Sequence, residues 1–184
     1  MGYVRPVYLA DRRQRNASAS HRPRNGSSDY AGVDSMRREK YESQDDLDAE
    51  IRIINRIKAK WQCDAVKMPH EYYTDFFLVE EGGAKRALAK AMCEVRCRNH
   101  SFGDFDSVFI SLNKARNLLE MAEVTGLPAF FVVQWNNICG YIKLEPPLPD
   151  VSIGGRNNMR DKYDVEPVVN LPISGFKKLW DGKA

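Results

Sequence analysis

The sequence predicts an α/β fold of the α+β kind, a mixed β-sheet flanked by helices. Three stretches carry that expectation. Ala91-Met92-Cys93-Glu94-Val95-Arg96-Cys97-Arg98-Asn99 alternates, with Cys93, Val95 and Cys97 to one side and Glu94, Arg96 and Arg98 to the other, the pattern of a half-buried strand. Ala129-Phe130-Phe131-Val132-Val133-Gln134-Trp135 is the most apolar run and reads as a central strand. Between them, Leu112 to Val124 carries Ala115, Leu118, Leu119 and Ala122 at helical spacing. A strand, a helix and a strand in that order imply a sheet with helices layered on it.

Composition narrows the class. The chain has 184 residues, 43% of them apolar, enough for one domain with a real core plus a tail. No apolar run reaches the length of a spanning helix, and the N-terminus lacks the apolar segment of a secretory signal. Cys63, Cys93, Cys97 and Cys139 show no CxxC and no zinc-type spacing with histidine, so they read as reduced thiols of a cytoplasmic protein, with Cys93 and Cys97 as small buried residues. Residues 1–44 hold nine Lys and Arg against five Asp and Glu, while the whole chain is only +3. They are rich in Arg, Ser, Asn and Gly without apolar periodicity, which predicts a flexible, disordered basic arm over 1–44 and a folded domain over 45–184. Arg12, Arg13 and Arg15 are the arm's candidate phosphate contacts. The plainer reading is a solubilising tail, and Tyr3 to Leu9 could form an edge strand.

The elements follow in order. Ser43-Gln44-Asp45-Asp46 opens a helix, its acids suited to the positive helix end. Leu47, Ile51, Ile54, Lys58 and Trp61 give its stripe, widened by Ile53 and Ile57. Cys63 to Lys67 is a short strand and Tyr72 to Val79 a longer one. Glu80-Glu81-Gly82-Gly83 turns the chain into the 91–98 strand, making an antiparallel hairpin. Ser107 to Ile110 is a strand, and Ser111 caps the next helix, which Gly126 and Pro128 end. Asn136-Asn137 turns the central strand into Ile138 to Leu144. Glu145 to Pro149 is extended linker, Gly154-Gly155 a turn, Asn157 to Asp164 a loop and Val165 to Leu171 a last strand. Pro172 to Trp180 closes the chain as a short helix or turn.

One constellation carries chemistry. Asp75 and Glu94 place carboxylates on neighbouring strands, where two such groups can hold Mg²⁺ with waters and a substrate phosphate completing the shell. Arg96, two residues on along the same face, is the natural cation for phosphoryl charge, and Lys114 in the first turn of the following helix is its alternative. Arg98 extends the face toward a phosphate contact. The plainer reading is a cross-strand Glu–Arg ladder without metal. Glu50 could reach the site from the first helix, though the plainer reading is a solvated face residue. His70 and His100 lie in loops as ordinary surface residues, Asp104 and Asp106 as turn formers. Trp135 and Tyr141 offer base stacking or, more plainly, cross-strand packing.

Thr74-Asp75, eighteen residues, then Glu94-Val95-Arg96 resembles the active-site hairpin of the PD-(D/E)XK nuclease superfamily, an acid on one strand and Glu-x-Lys on the next. The later strand–helix–strand and the Asp-Val-Glu-Pro-Val-Val segment at 164–169 resemble small phage-encoded members. The likeness covers roughly residues 47–180. It implies a restriction-endonuclease-like core and a metal-dependent nuclease acting on DNA in a host cytoplasm. It further implies Mg²⁺ or Mn²⁺ held by Asp75, Glu94 and the backbone carbonyl of Val95, Glu50 as an accessory acid, and dimers as in other members. Thr74 stands where the signature has Pro, and Arg96 where it has Lys. Guanidinium cannot act as an ammonium of lowered pKa. Either Lys114 supplies that ammonium, or Arg96 serves only as a clamp, or the site is weak. The competing readings are a catalytically weak or inactive nuclease fold that binds nucleic acid or a host protein, and a small assembly protein whose tail folds on a partner.

Overall fold

The computed structural model describes residues 43–69, 72–82, 88–155 and 165–184. The arm, with Arg12, Arg13, Arg15 and the Tyr3 to Leu9 stretch, lies outside the described residues, as do His70 and the Asn157 to Asp164 loop.

Helix α1 spans Gln44–Trp61 and begins where the sequence places its cap. The Ser43 hydroxyl accepts from the Asp46 amide, and the Asp46 carboxylate accepts from the Ser43 amide, so two otherwise unpaired amides are satisfied reciprocally. Its buried face is Ile53, Ile54 and Ile57, and Ile51 is exposed. The chain then forms β1 (Cys63–Lys67), β2 (Phe76–Glu80), β3 (Ala89–Cys97), β4 (Ser107–Ser111), α2 (Leu112–Thr125), β5 (Ala129–Gln134) and β6 (Ile138–Leu144). It ends with β7 (Val151–Gly155), β8 (Val165–Pro172), a 3₁₀ turn (Ile173–Gly175) and β9 (Lys177–Asp181).

The fold is α+β, with a mixed six-stranded sheet in the order β1-β2-β3-β5-β6-β9. Only β3 and β5 are parallel, joined by the crossover through α2, and their neighbours are antiparallel. A second sheet, β4-β8-β7, was not expected from sequence. Gly154 and Gly155 belong to its strand β7 rather than to a turn, and the closing segment contains strand β9. Gly154 is packed too tightly for a side chain, since a Cβ would stand 2.6 Å from Val168 Cγ2. That contact explains why a glycine sits inside a strand.

The six-stranded sheet is covered on both faces. On one, α1 packs Ile53, Ile54 and Ile57 against Phe76, Leu78, Cys93, Val95 and Val132. On the other, α2 and the small sheet pack Ala115, Leu118, Val108, Ile110, Val169 and Leu171 against Met92, Phe131 and Val133. Strand β3 is therefore buried on both faces from Ala91 to Val95, not half-buried as alternation implied. Its tail emerges, so Cys97 is exposed while Cys93 is buried. No described helix is long and apolar enough to cross a membrane.

Candidate active site

Strand β2 begins four residues later than its apolar run suggests, at Phe76, because two side chains take over its edge of β3. The buried Thr74 hydroxyl lies 3.1 Å from both the Phe76 and the Cys93 carbonyl oxygens. The Val95 amide donates to Asp75 Oδ2 at 2.9 Å. Met92 and Arg98 donate their amides to the β5 side, so the alternating backbone turns both amide and carbonyl of Val95 to the opposite edge, toward Asp75. Asp75 is thus in the bend before β2 rather than on a strand, yet pinned beside β3.

Glu94 faces α2 and is fully buried, with 0% of its side chain exposed. Lys114, in the first turn of α2, places Nζ 3.0 Å from Glu94 Oε2 and 3.4 Å from Asp75 Oδ1, bridging the two carboxylates. This is ion-pair distance without hydrogen-bond alignment at Glu94, and neither Glu94 oxygen has a directed donor. Arg96 Nη2 stands 3.5 Å from Glu94 Oε1, its own side chain half exposed. The structure thus brings Asp75, Glu94, Lys114 and Arg96 together. The Arg98 guanidinium is turned to β4, donating to the Phe109 carbonyl at 2.9 Å. Glu50 is paired with Lys67.

Burial pushes the Glu94 carboxyl up to about 8, and the Asp75 charge adds to the rise; together they outweigh Lys114 and Arg96, which act to lower it. For Lys114 the balance goes the other way. Burial alone would lower its pKa, but Glu94 and Asp75 more than compensate, and the ammonium is held above its ordinary range.

Among the described residues no group of three or more His, Cys, Asp or Glu side chains gathers as a metal cage. What exists is an oxygen-only set of two carboxylates beside the Val95 carbonyl. A buried carboxylate whose oxygens lack directed donors is a costly arrangement in the metal-free protein, and oxygen ligands suit a hard divalent cation. The residues present therefore fit Mg²⁺ or Mn²⁺.

Other features behave as ordinary structure. Ser111 sits at the start of α2, but its hydroxyl donates to Glu166 at 2.8 Å instead of capping. Asp104 accepts the Ser101 amide, a turn contact. His100 meets Phe105 edge-on. Trp135 is buried against Phe102 and Phe176, so it is closed to a base, while Tyr141 packs on Trp61 and Phe130. A groove of ≈ 820 Å³ beside the C-terminal end of α2, lined by Glu123, Leu127 and Lys143 among others, contains none of the site residues. One residue that holds the site together escaped sequence reasoning. Thr74 gave no sign that its hydroxyl would bridge two strands.

The sequence model of the family described as "Phage putative PDDEXK endonuclease" matches residues 36–179. No curated protein sequence matches. Among solved structures, the Holliday junction resolvase Hjc of the archaeal hyperthermophile Archaeoglobus fulgidus superposes with a TM-score of 0.46 at 10% identity. That match covers 72% of this chain and 90% of that one, a likeness too distant to carry function. The family match spans most of the chain, and the protein belongs to this phage family of the PD-(D/E)XK nuclease superfamily.

Proposed function

We propose that the protein binds DNA across the exposed end of β3, at the Asp75–Glu94–Lys114 centre, and that its hydrolysis there is weak. The observation that carries this reading is the Lys114 ammonium bridging both carboxylates, with Arg96 at the signature lysine position. Lys114 supplies the positive charge that the carboxylates need when no metal is bound. Arg96, always charged and half exposed, can clamp a phosphate oxygen but cannot give or take a proton. The arm residues Arg12, Arg13 and Arg15 would add salt-dependent affinity without sequence preference.

A second reading, a metal-dependent phosphodiesterase, is favoured by the buried Glu94 oxygens that lack directed donors. Asp75, Glu94 and the Val95 carbonyl would then hold Mg²⁺ or Mn²⁺, with Glu50 as an accessory acid. When bound, such an ion polarises a phosphoryl oxygen and acidifies a water. In this chain Asp75 would be oriented by the Val95 amide, and Lys114, released from the carboxylates, would be placed to neutralise developing phosphoryl charge.

Plasmid, linear and branched DNA incubated with Mg²⁺ or Mn²⁺, with binding followed in parallel at low salt, tests both. The first reading expects binding that falls steeply with salt and cleavage near background, raised by Arg96→Lys. Rapid cleavage that disappears in Asp75→Ala and Glu94→Ala would establish the second reading instead. Failure to bind DNA at low salt would overturn both.

A further inference from the structure

Strand β4 exposes an aromatic residue. Val108 and Ile110 point into the core, which leaves Phe109 between them turned outward with 42% of its surface exposed. The Arg98 guanidinium lies 4.9 Å from the centre of that ring, and its Nη2 donates to the Phe109 carbonyl at 2.9 Å. Ring and guanidinium are therefore fixed to each other by two contacts. Their position is set from both directions along the chain. Arg98 lies just past the end of β3, four residues beyond Glu94, and its amide still donates to the Gln134 carbonyl of β5. Phe109 is five residues before Lys114 in sequence, because β4 runs directly into α2. Nearby, Phe105 is 60% exposed and set edge-on to His100 at 4.8 Å between ring centres.

We propose that Phe109, braced by Arg98, is a stacking platform for an unpaired nucleobase beside the Asp75–Glu94 centre, so that the preferred substrate class is single-stranded DNA or a duplex with a single-stranded end. The proposal rests on the DNA-binding reading above and names the substrate of that same face. Charge selects this occupant. Arg98 sets a cation against the ring and Arg96 follows Glu94 on β3, and aromatic faces with a positively charged groove are the combination that tracks a single strand. A continuous duplex offers that ring nothing, because its bases are already stacked on each other, and taking one out costs unstacking energy that an unpaired end does not.

Fluorescence anisotropy in Ca²⁺ or EDTA, with a labelled single strand, a duplex carrying a single-stranded overhang and a blunt duplex, decides the matter. Wild-type protein is expected to prefer the first two probes over the blunt duplex by about tenfold or more. Phe109→Ala and Phe109→Leu should lose about tenfold on the single-stranded probes and stay within about twofold on the blunt duplex, while Phe109→Tyr retains the preference. The leucine variant keeps apolar bulk, so it decides if the alanine variant folds poorly. A 2-aminopurine placed at the unpaired position should be quenched by wild type and not by Phe109→Leu. Equal affinity for all three probes, or an equal effect of Phe109→Leu on each, overturns the inference while leaving DNA binding in place. Absence of any binding by the wild type at low salt overturns the inference and the DNA-binding reading together.

Discussion

The two faces of β3 are equally dry and do opposite work. Toward α1, Cys93 and Val95 meet Ile53, Ile54 and Ile57 in an apolar cluster with no charged member. Toward α2, two residues along from Met92, stands Glu94, a carboxylate with no exposed surface. Burial stabilises the first face in proportion to the apolar area removed from water. On the second face the same burial acts against the charge, and the protein offsets it with Lys114 and Arg96 at ion-pair distance. The lesson is that the α1 face holds the strand in place, and the rigidity so gained lets the α2 face keep an arrangement that a looser fold would relax.

Substitutions that separate the faces sharpen this contrast. The largest stability effect belongs to the α1 face. Ile57→Ala, at a position with no exposed surface, should lower unfolding free energy by about 2–5 kcal/mol in urea titrations. It should leave the Mn²⁺ affinity of the folded protein unchanged.

Glu94→Gln is expected to do the reverse. Because folding raises the Glu94 pKa from 4.5 to about 8, the native state holds a proton that the unfolded chain releases in that interval. In metal-free wild type its contribution is fully present below about pH 4.5 and is lost as pH rises toward 8, with a slope of at most about 1.4 kcal/mol per pH unit. Glu94→Gln should remove that slope and be the more stable protein at pH 8, as read from urea midpoints in EDTA. A parallel pH dependence in both proteins would contradict the assignment.

Between the faces lies Thr74. Thr74→Val leaves the Phe76 and Cys93 carbonyls without their hydroxyl and should cost about 1–3 kcal/mol, while Thr74→Ser restores most of it. Because Thr74 also fixes the bend that carries Asp75, Mn²⁺ affinity should fall with the valine and return with the serine. The smallest effect is expected from Ser111→Ala, which removes the hydroxyl donated to Glu166 and should cost about 1 kcal/mol or less in thermal unfolding.

The legible parts of the molecule were those written in local pattern. Ser43 and Asp46 announced α1, Gly126 ended α2 as a left-handed cap, and the alternation of β3 placed Glu94 and Arg96 on one side. The pairing of Asp75 with Glu94 was legible because a hairpin brings its strands together whatever its register. What was hidden depends on contacts between distant segments. Alternation shows that Glu94 and Cys93 face apart, but only the docking of β4, β8 and α2 decides that both faces are covered. The strand β7 was masked by its own glycines, since the close approach of Val168 that demands Gly154 comes from another strand. Ile51 looked like stripe and is exposed, since the buried face of α1 is centred on Ile53, Ile54 and Ile57. Trp135 looked like a base platform until Phe102 and Phe176 closed over it.

On the proposed metal-binding reading, the Lys114 ammonium and a divalent cation would compete for the same two carboxylates, Asp75 and Glu94. Calorimetric titration with Mn²⁺ of wild type, Lys114→Met and Glu94→Gln tests it most directly. The account predicts tighter binding by Lys114→Met, by about tenfold or more given an ammonium 3–4 Å from both acids, and loss of binding by Glu94→Gln. Equal Mn²⁺ affinity in all three proteins would contradict it.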